Sequence, residues 1–122
     1  MVLLRHCREM NSQIVTVFRN RLRPEAAGDY GVLAPHILEL ATAMPGFVDA
    51  KTFTAADGER VAIVTFADQP SHNAWRDHPE HRAAQRRGID EFYETYSIQV
   101  ATVAYEHRHP SGGRAAAGRL ER

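Results

Sequence analysis

Phe47-Val-Asp-Ala-Lys-Thr-Phe-Thr-Ala55 and Arg60-Val-Ala-Ile-Val-Thr-Phe66 are two β-rich runs separated by a loop that contains Asp57-Gly58. Valine, isoleucine, threonine and phenylalanine suit a pleated, half-buried surface. Asp-Gly signals a tight hairpin because both positions tolerate positive φ. The two runs are therefore expected to pair antiparallel. Ahead of them, residues 29–44 place Leu33, Ile37, Leu40, Ala41 and Met44 at helical spacing, and Pro45-Gly46 stops that pattern. Pro35 has no amide proton and its ring crowds the preceding turn, so this helix is expected to start near Ala34, after a looser turn. Further out, residues 14–19 alternate Ile14, Thr16 and Phe18 with Val15, Val17 and Arg19, which reads as a strand with apolar groups on both faces.

On the other side of the hairpin lies Trp75-Arg-Asp-His78-Pro79-Glu80-His81-Arg-Ala-Ala-Gln85. A short helix holding Trp75 ends there, and a second begins at Pro79. Proline has its φ preset for a first helical position, and Glu80 sits where the helix dipole favours negative charge. His81 and Gln85 are one turn apart on the stripe that continues through Gly88 and Phe92, while Arg86, Arg87, Asp90, Glu91 and Glu94 take solvated faces. Residues 96–106, with Ile98, Val100, Val103 and Tyr105, return as a strand. The order is β-α-β-β-α-β with the second helix broken at His78-Pro79. That is the α+β, ferredoxin-like arrangement, in which helices cover one face of a four-stranded antiparallel sheet. The bare face exposes a patch larger than monomers usually tolerate, and a twofold homodimer packed sheet to sheet is the expected cover.

The chain has 122 residues, which suits one domain burying roughly 65% of its unfolded surface. Lys+Arg and Asp+Glu both number 15, so no net field attracts nucleic acid or anionic lipid, and neither is expected as a partner. A single cysteine, Cys7, precludes an internal disulfide. With no secretory signal, and an apolar start too short for a membrane span, the expected location is the cytoplasm. The organised domain is expected over residues 14–107. Residues 1–13 read as a flexible extension in which Met10 offers a second start, and residues 108–122 as a disordered tail of loop formers, small residues and arginines. His78 and His81 lack further ligands at a metal-binding spacing, and His107 with His109 lies at the edge of the tail, so no metal is expected. Glycine-rich phosphate loops, nucleophile elbows and CxxC pairs are absent from the sequence.

Residues 14–105 resemble the antibiotic biosynthesis monooxygenase superfamily, whose dimeric α+β barrels include haem-degrading and quinol monooxygenases. The resemblance rests on Asn20-Arg21-Leu22 ending the first strand, Met44-Pro45-Gly46-Phe47 after the first helix, and Asp57-Gly58-Glu59 in the hairpin. It extends through Trp75 to Gln85 and from Phe92-Tyr93 to Tyr96-Ser-Ile-Gln-Val100. It implies a homodimer that oxygenates a small aromatic substrate with dioxygen and without flavin or a permanently bound metal. In the haem-degrading branch the working set is an asparagine ending the first strand, a tryptophan, and a histidine ten residues later. Asn20 and Trp75 match, but the position ten after Trp75 is Gln85, a poor axial ligand for haem iron. His81, one turn earlier, is the substitute ligand under a haem alternative.

The cofactor-free route needs a group to take a proton from an electron-rich phenol and a pocket to hold the resulting anion. His81 fits the base, since histidine titrates near ~6.5. Asn20 and Gln85 offer amide donors for an oxyanion, and Trp75 a flat wall with one N–H. Phe18, Phe66 and Phe92 complete a dry pocket, with His78 as a further substrate contact. Each has a plainer structural role: Trp75 as core anchor, Asn20 as turn former, His78 or Asp77 as helix cap, Tyr93 and Tyr96 as packing at the helix-to-strand corner. The resemblance thus implies a cofactor-independent monooxygenase acting on an aromatic quinol or polyketide-like phenol. The alternatives are a haem-degrading monooxygenase and a non-catalytic dimeric ligand-binding module.

Overall fold

The structure, a computed structural model, describes residues 12–109. The expected N-terminal extension and C-terminal tail lie almost wholly outside the described residues. In chain order the elements are β1 Ile14–Leu22, a 3-10 turn Pro24–Ala26, α1 Ala27–Ala43, β2 Phe47–Thr54, β3 Arg60–Phe66, α2 Gln69–Arg76, α3 Pro79–Arg87, a π-helical turn Gly88–Phe92, and β4 Tyr93–Thr102. The strands form one antiparallel sheet in the order β2-β3-β1-β4. This is the ferredoxin-like α+β arrangement expected from the sequence.

Three local expectations are corrected. The first helix starts at Ala27, and Pro35 lies inside it. A proline there deletes one hydrogen bond, to the carbonyl of Gly31 four residues back, while Leu33, Ile37, Leu40, Ala41 and Met44 keep their stripe toward the sheet. In the hairpin only Gly58 has positive φ, at 94°, and Asp57 does not. Gly58 N–H donates to Ala55 O at 2.9 Å and Ala55 N–H to Glu59 O at 2.8 Å, so the loop closes through a turn ending in a left-handed glycine. Asp57 instead accepts the Glu59 amide at 3.0 Å and the Arg21 guanidinium at 2.7 Å. The last strand begins at Tyr93 and ends at Thr102, because its register follows β1: Leu22 pairs with Tyr93 across an irregularity at Arg21/Leu22, and Ile14 with Thr102.

The break between α2 and α3 forms where the sequence placed it. Asp68 caps α2 by accepting the Ser71 amide at 2.9 Å. His78, extended before Pro79, caps α3 by accepting the Glu80 amide on its Nδ1 at 3.1 Å. Gly46, with φ of 84°, lets the chain turn from α1 into β2 against the Ser71 side chain.

Register assigns the two sheet faces. Ile14 pairs with Phe66, Thr16 with Val64, Phe18 with Ile98 and Asn20 with both Arg60 and Tyr96, so these side chains share the helix-covered face. Val15, Val17, Val61 and Ile63 point to the other, bare face. The core under the helices joins Ala41, Val64, Phe66 and Trp75, with Met44, Phe47 and Ala50 against them.

A candidate active site between the sheet and the broken helix

The helix-covered face has two distinct ends. At one end Phe66 is fully buried beneath Trp75, with ring centroids 5.3 Å apart. Trp75 in turn stacks on His81 at 4.1 Å and 22°. At the other end Phe92 is fully buried, with Tyr30 edge-on to it at 5.8 Å and Tyr93 6.1 Å from Tyr30. Phe18 lies between the ends and meets Tyr93 at 5.2 Å. From the Ile14–Phe66 pair to the Asn20–Arg60 pair the strands advance about 20 Å at ~3.3 Å per residue. The helical stretch from α3 through the π turn runs from one end to the other. Its last residues close on β1, where Arg23 N–H donates to Phe92 O at 2.8 Å.

Among the described residues, four buried side-chain atoms on or over this face have no hydrogen-bond partner: Thr16 Oγ1, Asn20 Oδ1, Arg60 Nε and Trp75 Nε1. Buried polar groups are nearly always paired, because desolvation without a partner costs about 1–3 kcal/mol each. Asn20 is only 3% exposed. Beyond β1 the cover gives out: Tyr96, Ile98 and Val100 of β4, on this same face, remain 47%, 53% and 50% exposed. The helical layer thus leaves this face uncovered along β4.

Gln85 reaches back one turn, and its Nε2 lies 3.2 Å from His81 Nδ1. An amide nitrogen only donates, so Nδ1 is the accepting nitrogen and the ring proton sits on Nε2. Burial pushes the His81 pKa below the ordinary histidine value, while the backbone carbonyls of Arg76 and Trp75 act the other way. His81 is thus a neutral, sheltered imidazole at neutral pH. Gln85 also borders a shallow outer depression of about 180 Å³ with Arg82, Arg86, Ile89 and Asp90, so it links the interior to the outer surface.

The structure brings Trp75, His81, Gln85 and Phe66 together, and separately Asn20 with Phe92. Phe18 lies between. His78 stands apart as the cap of α3, and Asp77, the competing cap, instead holds Arg76 at 2.9 Å and Arg82 at 3.4 Å, its carboxyl lowered to about 2 chiefly by the Arg76 bond. Sequence reading missed Tyr30 and Arg60. The Arg60 guanidinium lies 5.0 Å over the Tyr30 ring, and burial, reinforced by Tyr30, pushes the Tyr93 phenol well above its usual range. Their signal is only the register that sets β3's first residue beside Asn20. Among the described residues no three His, Cys, Asp or Glu side chains converge to hold a metal, and no helix is long and apolar enough to cross a membrane.

Sheet order and broken helix define a ferredoxin-like α+β domain. A family model described as antibiotic biosynthesis monooxygenase matches residues 13–87. The chain is also 32% identical over 87 residues to the uncharacterized protein YqjZ of Bacillus subtilis, over 71% of this chain and 76% of that one. It belongs to the antibiotic biosynthesis monooxygenase family. Similar folds include SnoaB, a cofactor-independent oxygenase from Streptomyces nogalater, with TM-score 0.66 at 15% identity over 81% of this chain and 98% of that one. Rv0793 from Mycobacterium tuberculosis superposes with TM-score 0.66 at 19% identity, over 80% and 99% of the two chains. At such identities these two likenesses speak to fold alone.

Proposed function

We propose that this protein is a cofactor-independent monooxygenase whose substrate is an aromatic quinol or a polyketide-like phenol, or its keto form, held against the sheet beside α3. The observation that carries this reading is the set of buried, unpartnered polar atoms, Thr16 Oγ1, Asn20 Oδ1 and Trp75 Nε1, spread along an aromatic-lined face. Such a face accepts a flat apolar body and offers polar contacts at both ends.

In this reading His81 takes a proton from an activated ring carbon once the Gln85 amide swings off its Nδ1. The carbanion is delocalised to a ring oxygen, where an N–H donor of the face stabilises it. It passes one electron to dioxygen, and the radical pair joins as a carbon-bound peroxide that regains the proton from His81. Breaking the O–O bond expels water with the carbon's second hydrogen and leaves a carbonyl. One oxygen atom ends in the product and one in water, so atoms and electrons balance without a further reductant. A sheet-to-sheet homodimer through the face that carries Val15, Val17, Val61 and Ile63 accompanies the proposal, since Ile63 and Phe53 on that face are 37% and 48% exposed in one subunit.

Haem does not fit the residues present. Gln85, ten residues after Trp75, is a weak iron ligand, and His81 lies with its ring face stacked on Trp75 at 4.1 Å. The test is oxygen uptake with a panel of hydroquinones and anthrone-type ketones under labelled dioxygen. One labelled atom is expected in the product, with turnover lost in folded Asn20→Ala and Trp75→Ala variants. No uptake above autoxidation with any of them overturns the oxygenase reading in favour of a ligand-binding module.

A further inference from the structure

We infer that Arg60, together with Asn20, binds the oxygen on which the substrate's negative charge accumulates. This rests on the reading that the face takes a phenol or its keto form. Arg60 and Asn20 are direct register partners on the helix-covered face, so their side chains leave the sheet side by side. Arg60 Nε, a donor, and Asn20 Oδ1, an acceptor, are both buried and both without a partner among the described residues. A phenolic hydroxyl satisfies both at once by donating to Asn20 Oδ1 and accepting from Arg60 Nε.

Arginine is the side chain that remains charged when partly buried, and among the described residues no carboxylate pairs with it. Its neighbour Glu59 faces Arg19 instead, at 2.9 Å on the opposite side of the strand, and Asp57 faces Arg21. The other ionisable groups around this end are the phenols of Tyr30 on α1 and Tyr93 and Tyr96 on β4. Arg87 on α3 lies 4.8 Å over the outer side of Phe92 and pairs with Glu91 at 3.1 Å. Arg60 is thus a part-buried cation beside an aromatic ring, and a nearby anion is favoured there over its neutral acid. The Tyr30 ring fixes the guanidinium plane from one side. The pair selects ring systems with an ionisable oxygen at the end remote from Trp75: Asn20 Oδ1 positions the hydroxyl of the neutral form, and the Arg60 charge increases its acidity before any electron leaves.

The experiment titrates 7-hydroxycoumarin bound to the full chain, reading phenol and phenolate by their separate fluorescence excitation bands. The bound dye is expected to ionise at least about one pH unit below the free dye, a tenfold gain in acidity. Arg60→Gln is expected to abolish the shift and Arg60→Lys to retain part of it, because lysine keeps the charge without the Nε donor. If Arg60→Gln does not fold, as judged by circular dichroism, Asn20→Asp is read instead: a carboxylate beside the oxygen is expected to reverse the shift. A dye that fails to bind, that ionises as it does free, or that keeps its shift in Arg60→Gln or Asn20→Asp overturns the inference. The readout involves no turnover: a shifted dye without oxygen uptake leaves this binding pair standing and removes the oxygenase.

Discussion

Trp75 shows how one side chain serves both the core and the candidate site. It is 7% exposed, rests on Phe66 and stacks on His81, yet its indole N–H has no partner among the described residues. Trp75→Ala is expected to cost about 3–5 kcal/mol in denaturant titration. Trp75→Phe keeps most of the packing and removes only the N–H, so a folded protein with kcat lowered on the order of 10–100-fold is the expected outcome. His81 carries a pH prediction. Its pKa is depressed in the folded chain, so above ~6.5 both folded and unfolded forms are neutral and the group contributes nothing. As pH falls below ~6.5 the unfolded chain binds the proton first, and stability is lost until the folded pKa is passed. Melting temperature is expected to fall from pH 7 to pH 5, and less so in His81→Phe. The acid limb of kcat/KM is likewise expected below ~6.5, because only the neutral ring acts as base. Trp75, His81 and Gln85 were legible from the sequence because a local helix spacing gathers them. Asn20 was legible only through family resemblance, and Arg60 and Tyr30 not at all, because they meet through strand register and a helix-to-sheet contact distant in sequence.

Elements follow the same division between local and non-local causes. The helix break at His78-Pro79 and the stop at Pro45-Gly46 were readable because proline and glycine act on their own backbone. The start of α1 was misread because Pro35 was weighed by its local cost alone, whereas the helix is held by its stripe against the sheet. The hairpin position was readable, but its loop type depended on Arg21, a residue of another strand that holds Asp57. The caps give a direct test: Asp68→Ala is expected to cost about 1 kcal/mol in urea titration, with no cost for Asp68→Asn. The π turn gives another. A Cβ at Gly88 would run into the Tyr93 ring, so Gly88→Ala is expected to destabilise by about 1–3 kcal/mol and to shift the aromatic cluster's near-UV circular dichroism.

The whole molecule presents apolar surface on both sides of its sheet. The bare face carries Ile63 and Phe53, 37% and 48% exposed, opposite the helix-covered core. Placing a charge there tests the proposed pairing: Ile63→Lys is expected to sediment as a monomer where the parent chain sediments as a dimer. The four-strand topology was legible because element order restricts a sheet of this size to few arrangements. The open side along β4 was not, because it depends on how far the helical layer reaches. That same strand forms one border of the sheet, and Tyr93–Thr102 contains a single charged residue, Glu94. Its outer row of backbone amides and carbonyls has few of the lysines, prolines or kinks that keep other chains from adding on. Refolding yield is therefore tied to concentration, and crowded, newly synthesised copies are prone to stack border to border into aggregates before their helices close.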